Sequence, residues 1–180
     1  MCAIEYYTYE DYKQWEGDWE LVRGFPLAMA PSPVITHQYV MSMLVYELNR
    51  SLVECEQCIV VAEEDYIVED DTVLRPDVSV VCGEENDFIT KAPEIVVEVV
   101  SNSTAKRDEK VKFEIYEKEL VKYYILAYPE RLIAKIFKNE NGKFIKMGDY
   151  SKETVKLDQN LTCQVEINFD TVFKKLRRKK

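Results

Sequence analysis

Two carboxylates stand where chemistry would need them. Asp77 follows a proline in "RPDVSVV", and Glu98 interrupts an aliphatic run in "PEIVVEVVS". Ile95, Val96, Val97, Val99 and Val100 around Glu98 are the β-branched residues favoured by a strand covered on both faces. Desolvation there disfavours a charged carboxylate, so Glu98 either reaches water at a strand end or meets a positive charge. Only the turn-rich "CGEENDFITKAP" separates the Asp77 strand from the Glu98 strand, so the two strands are expected to be neighbours with their acids converging. Two hard oxygen donors in an apolar wall suit Mg²⁺ or Mn²⁺, ions that keep waters and accept phosphate oxygens. Either acid alone reads more simply as structural, Asp77 as a turn residue and Glu98 as a strand-end carboxylate bonded to backbone. Together they would supply a metal with two ligands, and the ion would be the positive charge that Glu98 needs.

Phosphodiester hydrolysis also needs a group that orients water or steadies developing charge. Strand alternation puts residue 100 on the Glu98 face, the natural place for a lysine, but residue 100 is valine. Asp108, Lys112 and Tyr116 repeat at one-turn spacing on the following helix, so Lys112 can reach toward the carboxylates. The plain alternative is a surface lysine paired with Asp108. Lys106 and Lys110, on a wetter face, are the fallbacks. His37, the single histidine, begins a helix behind "PSPVIT" and either approaches the site or caps and packs.

The elements that must position these groups alternate helix, strands, helix, strands, which gives an α/β sandwich with a mixed central sheet. "TYEDYKQW" reads as a short helix capped by Thr8, and "WELVRGFPLAMA" as a hairpin turning at Gly24. Pro31 and Pro33 precede a helix from about Thr36 to Glu54, with Val40, Leu44, Val45, Leu48 and Leu52 on one stripe. "CIVVAEEDYIVE", "VLRPDVSVVC" and "EIVVEVV" each read as a strand, followed by a helix from Ser103 or Thr104 to about Lys118, with Val111 and Ile115 inward. "KYYILAY", "RLIAKIF" and "GKFIKM" are further strands, the last pair turning at Asn141-Gly142, and a terminal helix starts near Asp170.

At 180 residues and 47% hydrophobic content, the chain is expected to be one domain spanning 1–180. No apolar run has the length of a membrane span and no signal-peptide core precedes the first helix, so a cytoplasmic protein is expected. Five cysteines without regular spacing argue against a secreted disulfide framework. "CEQC" gives Cys55 and Cys58 a metal-like spacing, but no second pair or histidine stands near it in the sequence, so both read as structural. The net charge of −9 opposes a broad nucleic-acid surface, and the tail "KKLRRKK" reads first as a solvated helix end. The 12 tyrosines fall mostly at positions where a buried ring is the ordinary explanation.

The run "RPDVSVV…APEIVVEVVSNSTAKRDEKVKFEIYEKELVKYYIL", with "WELVRGFPLAMAPSPVITHQ" upstream, resembles the Uma-two family of restriction-type endonucleases, once a domain of unknown function. That family belongs to the PD-(D/E)XK nuclease superfamily, and the likeness covers most of residues 15–138. The resemblance implies a restriction-endonuclease-like fold with an N-terminal hairpin and helix, and Mg²⁺-dependent hydrolysis. Asp77 matches the family's PD aspartate, Glu98 the glutamate of its Glu-Val-Leu-Ser motif, and Lys112 the lysine of its Asp-x-x-x-Lys-x-x-x-Tyr helix, beside Asp108 and Tyr116. Glu20 matches the glutamate of the opening motif, which the superfamily often uses as an extra metal ligand; read alone, it is equally a solvent-facing strand residue. The chain departs from the pattern in several places. The superfamily lysine two residues after the glutamate is missing, Glu119-Leu120 replaces Gly-Val, Tyr124 replaces tryptophan, and Ala127 stands where aspartate is common.

The expectation is thus a metal-dependent endonuclease acting on nucleic acid, DNA first; oligomeric state is left open, a homodimer being compatible with double-strand cleavage by one site per chain. The rival is a non-catalytic module of the same fold that binds nucleic acid or a protein partner.

Overall fold

The computed structural model describes residues 5–29 and 34–177; Pro31, Pro33 and the last three basic residues lie outside them. A short helix α1 (Tyr9–Tyr12) opens the chain, closed at its start by a reciprocal capping box between Thr8 and Asp11. Strands β1 (Trp19–Val22) and β2 (Phe25–Ala28) form the expected hairpin. Both turn residues have positive φ, Arg23 at 52° and Gly24 at 79°, and a Cβ on Gly24 would sit 2.3 Å from the Tyr6 ring. Glycine is required there twice over.

Helix α2 (Ile35–Ser51) buries Val40, Leu44 and Leu48, and Leu52 just beyond it extends the same i, i+4 stripe. Then come β3 (Cys58–Ala62), β4 (Tyr66–Glu69), β5 (Thr72–Leu74), β6 (Val78–Cys82) and β7 (Ile95–Val99). Two of the sequence segments read as single strands are each two strands in different sheets. "CIVVAEEDYIVE" breaks at Glu63, whose φ is 54°, and "VLRPDVSVVC" breaks at Arg75-Pro76-Asp77. Strands β2-β1-β5-β4 form a small sheet. Strands β10-β9-β8-β7-β6-β3 form a six-stranded one, where β8 is Tyr123–Tyr128, β9 Ile133–Glu140 and β10 Lys143–Tyr150. The β7–β8 pair is parallel and its neighbours antiparallel, so the sheet is mixed, as expected. A parallel pair needs a crossover. This one is made by a π-helical stretch (Arg107–Lys112) running directly into α3 (Phe113–Lys118).

Every residue of β7 is buried, because both faces of the large sheet are covered. Ile95, Val97 and Val99 meet α2 and the C-terminal helix α4 (Phe169–Arg177). Val96 and Val100 face the opposite side, with Tyr116, Tyr124 and the small sheet's Leu74 and Tyr66. Glu98 shares the parity of Val96 and Val100, so it projects into the layer beneath the crossover helix. A β-hairpin absent from the sequence reading, β11 (Thr154–Leu157) with β12 (Val165–Asn168), leads into α4.

The cysteines find partners that local spacing does not offer. Cys55 and Cys58 do have partners, brought from far along the chain: Cys55 is disulfide-bonded to Cys163 and Cys58 to Cys82.

Candidate active site

The register Val78↔Val97 on β6 and β7, continued by one residue, sets Asp77 opposite Glu98 on the same face. The backbone N–H of Val99 donates to Asp77 Oδ2 at 2.6 Å, which holds the aspartate beside its neighbour strand. Pro76 has no N–H to offer a ladder, and the chain changes sheets here, so Asp77 stands at the seam between the two sheets. His37, in the first turn of α2, places Nε2 3.4 Å from Asp77 Oδ2. Burial alone would push the His37 imidazole down, but its hydrogen bond to Asp77 and the Asp77 charge outweigh that and raise its pKa.

Lys112 reaches this layer from the π-helical stretch and is only 2% exposed. Its ammonium donates to Glu98 Oε1 at 2.8 Å and to the carbonyl of Arg75 at 3.2 Å, and pairs with Glu20 Oε1 at 2.7 Å. Those three contacts use all three of its donors. Tyr116 adds a hydroxyl to Glu98 Oε1 at 3.0 Å, one turn further along the same helix face. Asp108 is buried on that face, with Arg107 3.9 Å away. Val111, expected inward, is only half-buried, because the wider π turn rotates Asp108 and Lys112 into the interior instead.

Glu20, on β1, is fully buried rather than facing solvent. It accepts the Arg75 N–H at 2.9 Å, and its Oε2 lies 3.2 Å from Arg107 Nη1. It does not line the cavity that opens between the sheets, which holds about 550 Å³. Asp77, Glu98, Asp108, Lys112 and His37 do line it, together with Arg75, Arg107 and Glu63, which the sequence reading missed. Arg75 was legible as the residue preceding the PD pair. Arg107 and Glu63 carry no local signal. Lys106 and Lys110 are not among the lining residues.

Burial is the first cause that raises the Glu98 pKa well above the usual carboxylate range. The Lys112 charge opposes it, and Asp108, Asp77 and Glu20 add to it. Burial likewise raises Asp108, against the charge of Lys112 and a hydrogen bond from Thr104. Lys112 itself is held protonated: burial alone would lower it, but Glu20, Glu98 and Asp108 together raise it. The positive charge that Glu98 demanded in its strand is therefore supplied, in the first instance, by Lys112.

The donor set also suits a hard divalent ion. The bonds described use Asp77 Oδ2 and Glu98 Oε1, which leaves each carboxylate one oxygen outside them. Among the described residues, the sets of three ligand atoms within 4.8 Å of one another consist of cysteines with or without Glu94, so no third carboxylate joins Asp77 and Glu98 that closely. One or two carboxylates are enough for Mg²⁺, which keeps several of its waters.

The central mixed sheet with its flanking helices and crossover helix makes this an α/β fold. The fold is shared with a crystal structure described as "a putative nuclease belonging to DUF820 from Anabaena variabilis". The TM-score is 0.74 and the identity 14%, covering 94% of this chain and 98% of that one. Residues 8–170 match the model of the Uma2 family, described as "Putative restriction endonuclease", and the chain belongs to that family. No curated protein matches it. No helix among the described residues is long and apolar enough to cross a membrane.

Proposed function

We propose that this protein is a metal-dependent endonuclease that hydrolyses phosphodiester bonds of DNA in the cytoplasm, with residues 1–180 acting as one nuclease domain. The observation that carries the reading is the convergence of Asp77 and Glu98, from adjacent strands, on one cavity that also holds Lys112, Arg75 and Arg107. Asp77 and Glu98 would hold Mg²⁺ or Mn²⁺, which when bound polarises a phosphoryl oxygen and lowers the pKa of a coordinated water. Lys112 neutralises Glu98 and, once an ion shares that carboxylate, is placed to turn a donor toward the phosphate. Glu20 serves by holding Lys112 and Arg107 in position, and Tyr116 by fixing the Glu98 rotamer. Asp108 supports Lys112 by its charge, and His37 orients Asp77. With one site per chain, cutting both strands would take two copies.

The three engaged donors of Lys112 and the net charge of −9 favour a second reading, a non-catalytic module of the same fold that binds nucleic acid or a protein partner. One experiment separates the two: thermal melts of wild type and Asp77→Asn, with and without millimolar Mg²⁺ or Mn²⁺, beside a plasmid-nicking assay. The nuclease reading expects metal stabilisation of wild type by RT ln(1 + [L]/Kd), its loss in Asp77→Asn, and nicking by wild type only. The Val99 N–H can still donate to the asparagine carbonyl, so the metal-free variant should lie within about 1 kcal/mol of wild type. Wild type with neither metal stabilisation nor nicking refutes the enzyme.

A further inference from the structure

At the far end of β6 from Asp77, five residues along and so roughly 17 Å away, lies a second cluster with no part in the proposed hydrolysis. Cys55 follows α2, Cys58 opens β3, Cys82 closes β6 opposite it in the ladder, and Cys163 lies in the loop before β12. The sulfurs of Cys55, Cys58 and Cys163 all lie within 4.8 Å of one another, although only Cys55 and Cys163 are bonded. Cys82 is bonded to Cys58, so the fourth sulfur joins the group through Cys58. Four of the chain's five cysteines thus form one linked group, with Cys58 common to the Cys55–Cys163 pair and to Cys82.

We propose that, in its reduced form, this cluster binds one Zn²⁺ through Cys55, Cys58, Cys82 and Cys163. Four thiolates, two of them in a Cys-x-x-Cys pair, are the donor set of a structural zinc site, and soft thiolate ligands select zinc over Mg²⁺ or Mn²⁺. A tetrahedral ion with Zn–S bonds of about 2.3 Å sets its sulfurs about 3.8 Å apart. The Cys55, Cys58 and Cys163 sulfurs are already gathered on that scale, and Cys82 joins them by side-chain rotation once its disulfide is open. Glu94, which lies near Cys58 and Cys82, is left outside the shell, because Lys122 and Thr162 already hold its carboxylate. The disulfide and zinc forms exclude one another. Two molecules of a dithiol reductant give up four electrons and four protons to convert the two disulfides to four thiols and are themselves oxidised to two cyclic disulfides. Zn²⁺ binding then releases the four thiol protons. A zinc site also suits a protein working among cytoplasmic thiols, where disulfides do not persist. The ion would clamp the end of α2, strands β3 and β6, and the loop before β12.

The test uses the full chain carrying Cys2→Ser, so that only these four thiols remain. The protein is reduced with dithiothreitol under argon, given Zn²⁺, freed of excess metal, and measured for zinc by atomic emission and for ligands by zinc-edge X-ray absorption. One zinc per chain with four sulfur neighbours is expected. Cys163→Ser should weaken zinc retention at least tenfold, while Asp77→Asn leaves it unchanged. Should Cys163→Ser fail to fold, Co²⁺ in place of Zn²⁺ in the parent protein provides the second readout, a thiolate-to-cobalt charge-transfer band. Reduced, folded protein with four free thiols and no retained zinc overturns the proposal, as do oxygen and nitrogen neighbours alone, or an iron-containing brown protein.

Discussion

Replacing Lys112 by methionine tests whether the buried charges form one unit. Methionine keeps much of the length of the side chain and removes the ammonium, leaving Glu98 without a cation in a layer where it is 3% exposed. Glu20 retains the Arg75 N–H and the Arg107 guanidinium, so Glu98 carries most of the loss. Removing one partner of a buried ion pair costs about 3–5 kcal/mol, whereas an exposed pair contributes about 1 kcal/mol or less. For a chain of this size each kcal/mol shifts Tm by about 2–4 °C, so Lys112→Met should melt about 6–20 °C below wild type in EDTA at neutral pH.

The pH dependence of that gap follows from Glu98. Its carboxyl is raised in the folded protein, so between the unfolded and folded values the native state binds more protons and stability falls as pH rises. Below the unfolded value both states are protonated and the contribution is fully present. Without the opposing Lys112 charge the folded value moves higher still, the window widens, and the variant loses more on going from about pH 5 to about pH 8. Melts followed by circular dichroism across that range measure the effect. A variant that melts within about 3 °C of wild type at every pH, the margin of an exposed pair, would show that Lys112 is not the counter-ion of Glu98.

Two further outcomes follow from single contacts. Tyr116→Phe removes the hydroxyl that donates to Glu98 Oε1 and should cost about 1.5–3 kcal/mol in EDTA melts, with nicking reduced rather than abolished; an unchanged Tm would mean that the hydroxyl does not fix the carboxylate. In the connection between β6 and β7, Glu84 accepts the backbone N–H groups of Thr90, Asn86 and Lys91. Burial pushes its carboxyl up, but those bonds prevail and bring it down to about 2. Its contribution to stability is therefore present above the usual glutamate value and lost as pH falls toward about 2, so Glu84→Gln should flatten acid unfolding in that window, as read by tryptophan fluorescence.

What was legible in the sequence was local. The continuous aliphatic run around Glu98, the i, i+4 line of Asp108, Lys112 and Tyr116, and the Asn141-Gly142 turn each follow from the chemistry of neighbouring residues, and the fold contains all three features. That Asp77 and Glu98 share a face followed from one short connection between two adjacent strands. The unread features depend on which strands become neighbours. No glycine or proline marks the break at Glu63, where a glutamate takes a left-handed conformation; its backbone N–H donates to the Asp77 carbonyl. Glu20 looks half-exposed on a short hairpin until a second sheet closes over it, and only then does it hold Lys112 from the opposite side.

The same dependence on sheet order explains the cysteines and joins the two centres. Strand β6 carries Asp77 just before its first residue and Cys82 as its last, so one strand ties the acidic cavity to the sulfur cluster. Sequence spacing paired Cys55 only with Cys58, because the partners that complete the group lie 24 and 108 residues away and arrive only when β3 pairs with β6 and the loop before β12 closes. The site acids are held mainly by charges within their own layer, and the cysteines fasten the far rim of the same sheet. Loss of the sulfur crosslinks should therefore lower global stability while leaving the Glu20–Lys112–Glu98 arrangement intact in the molecules that remain folded.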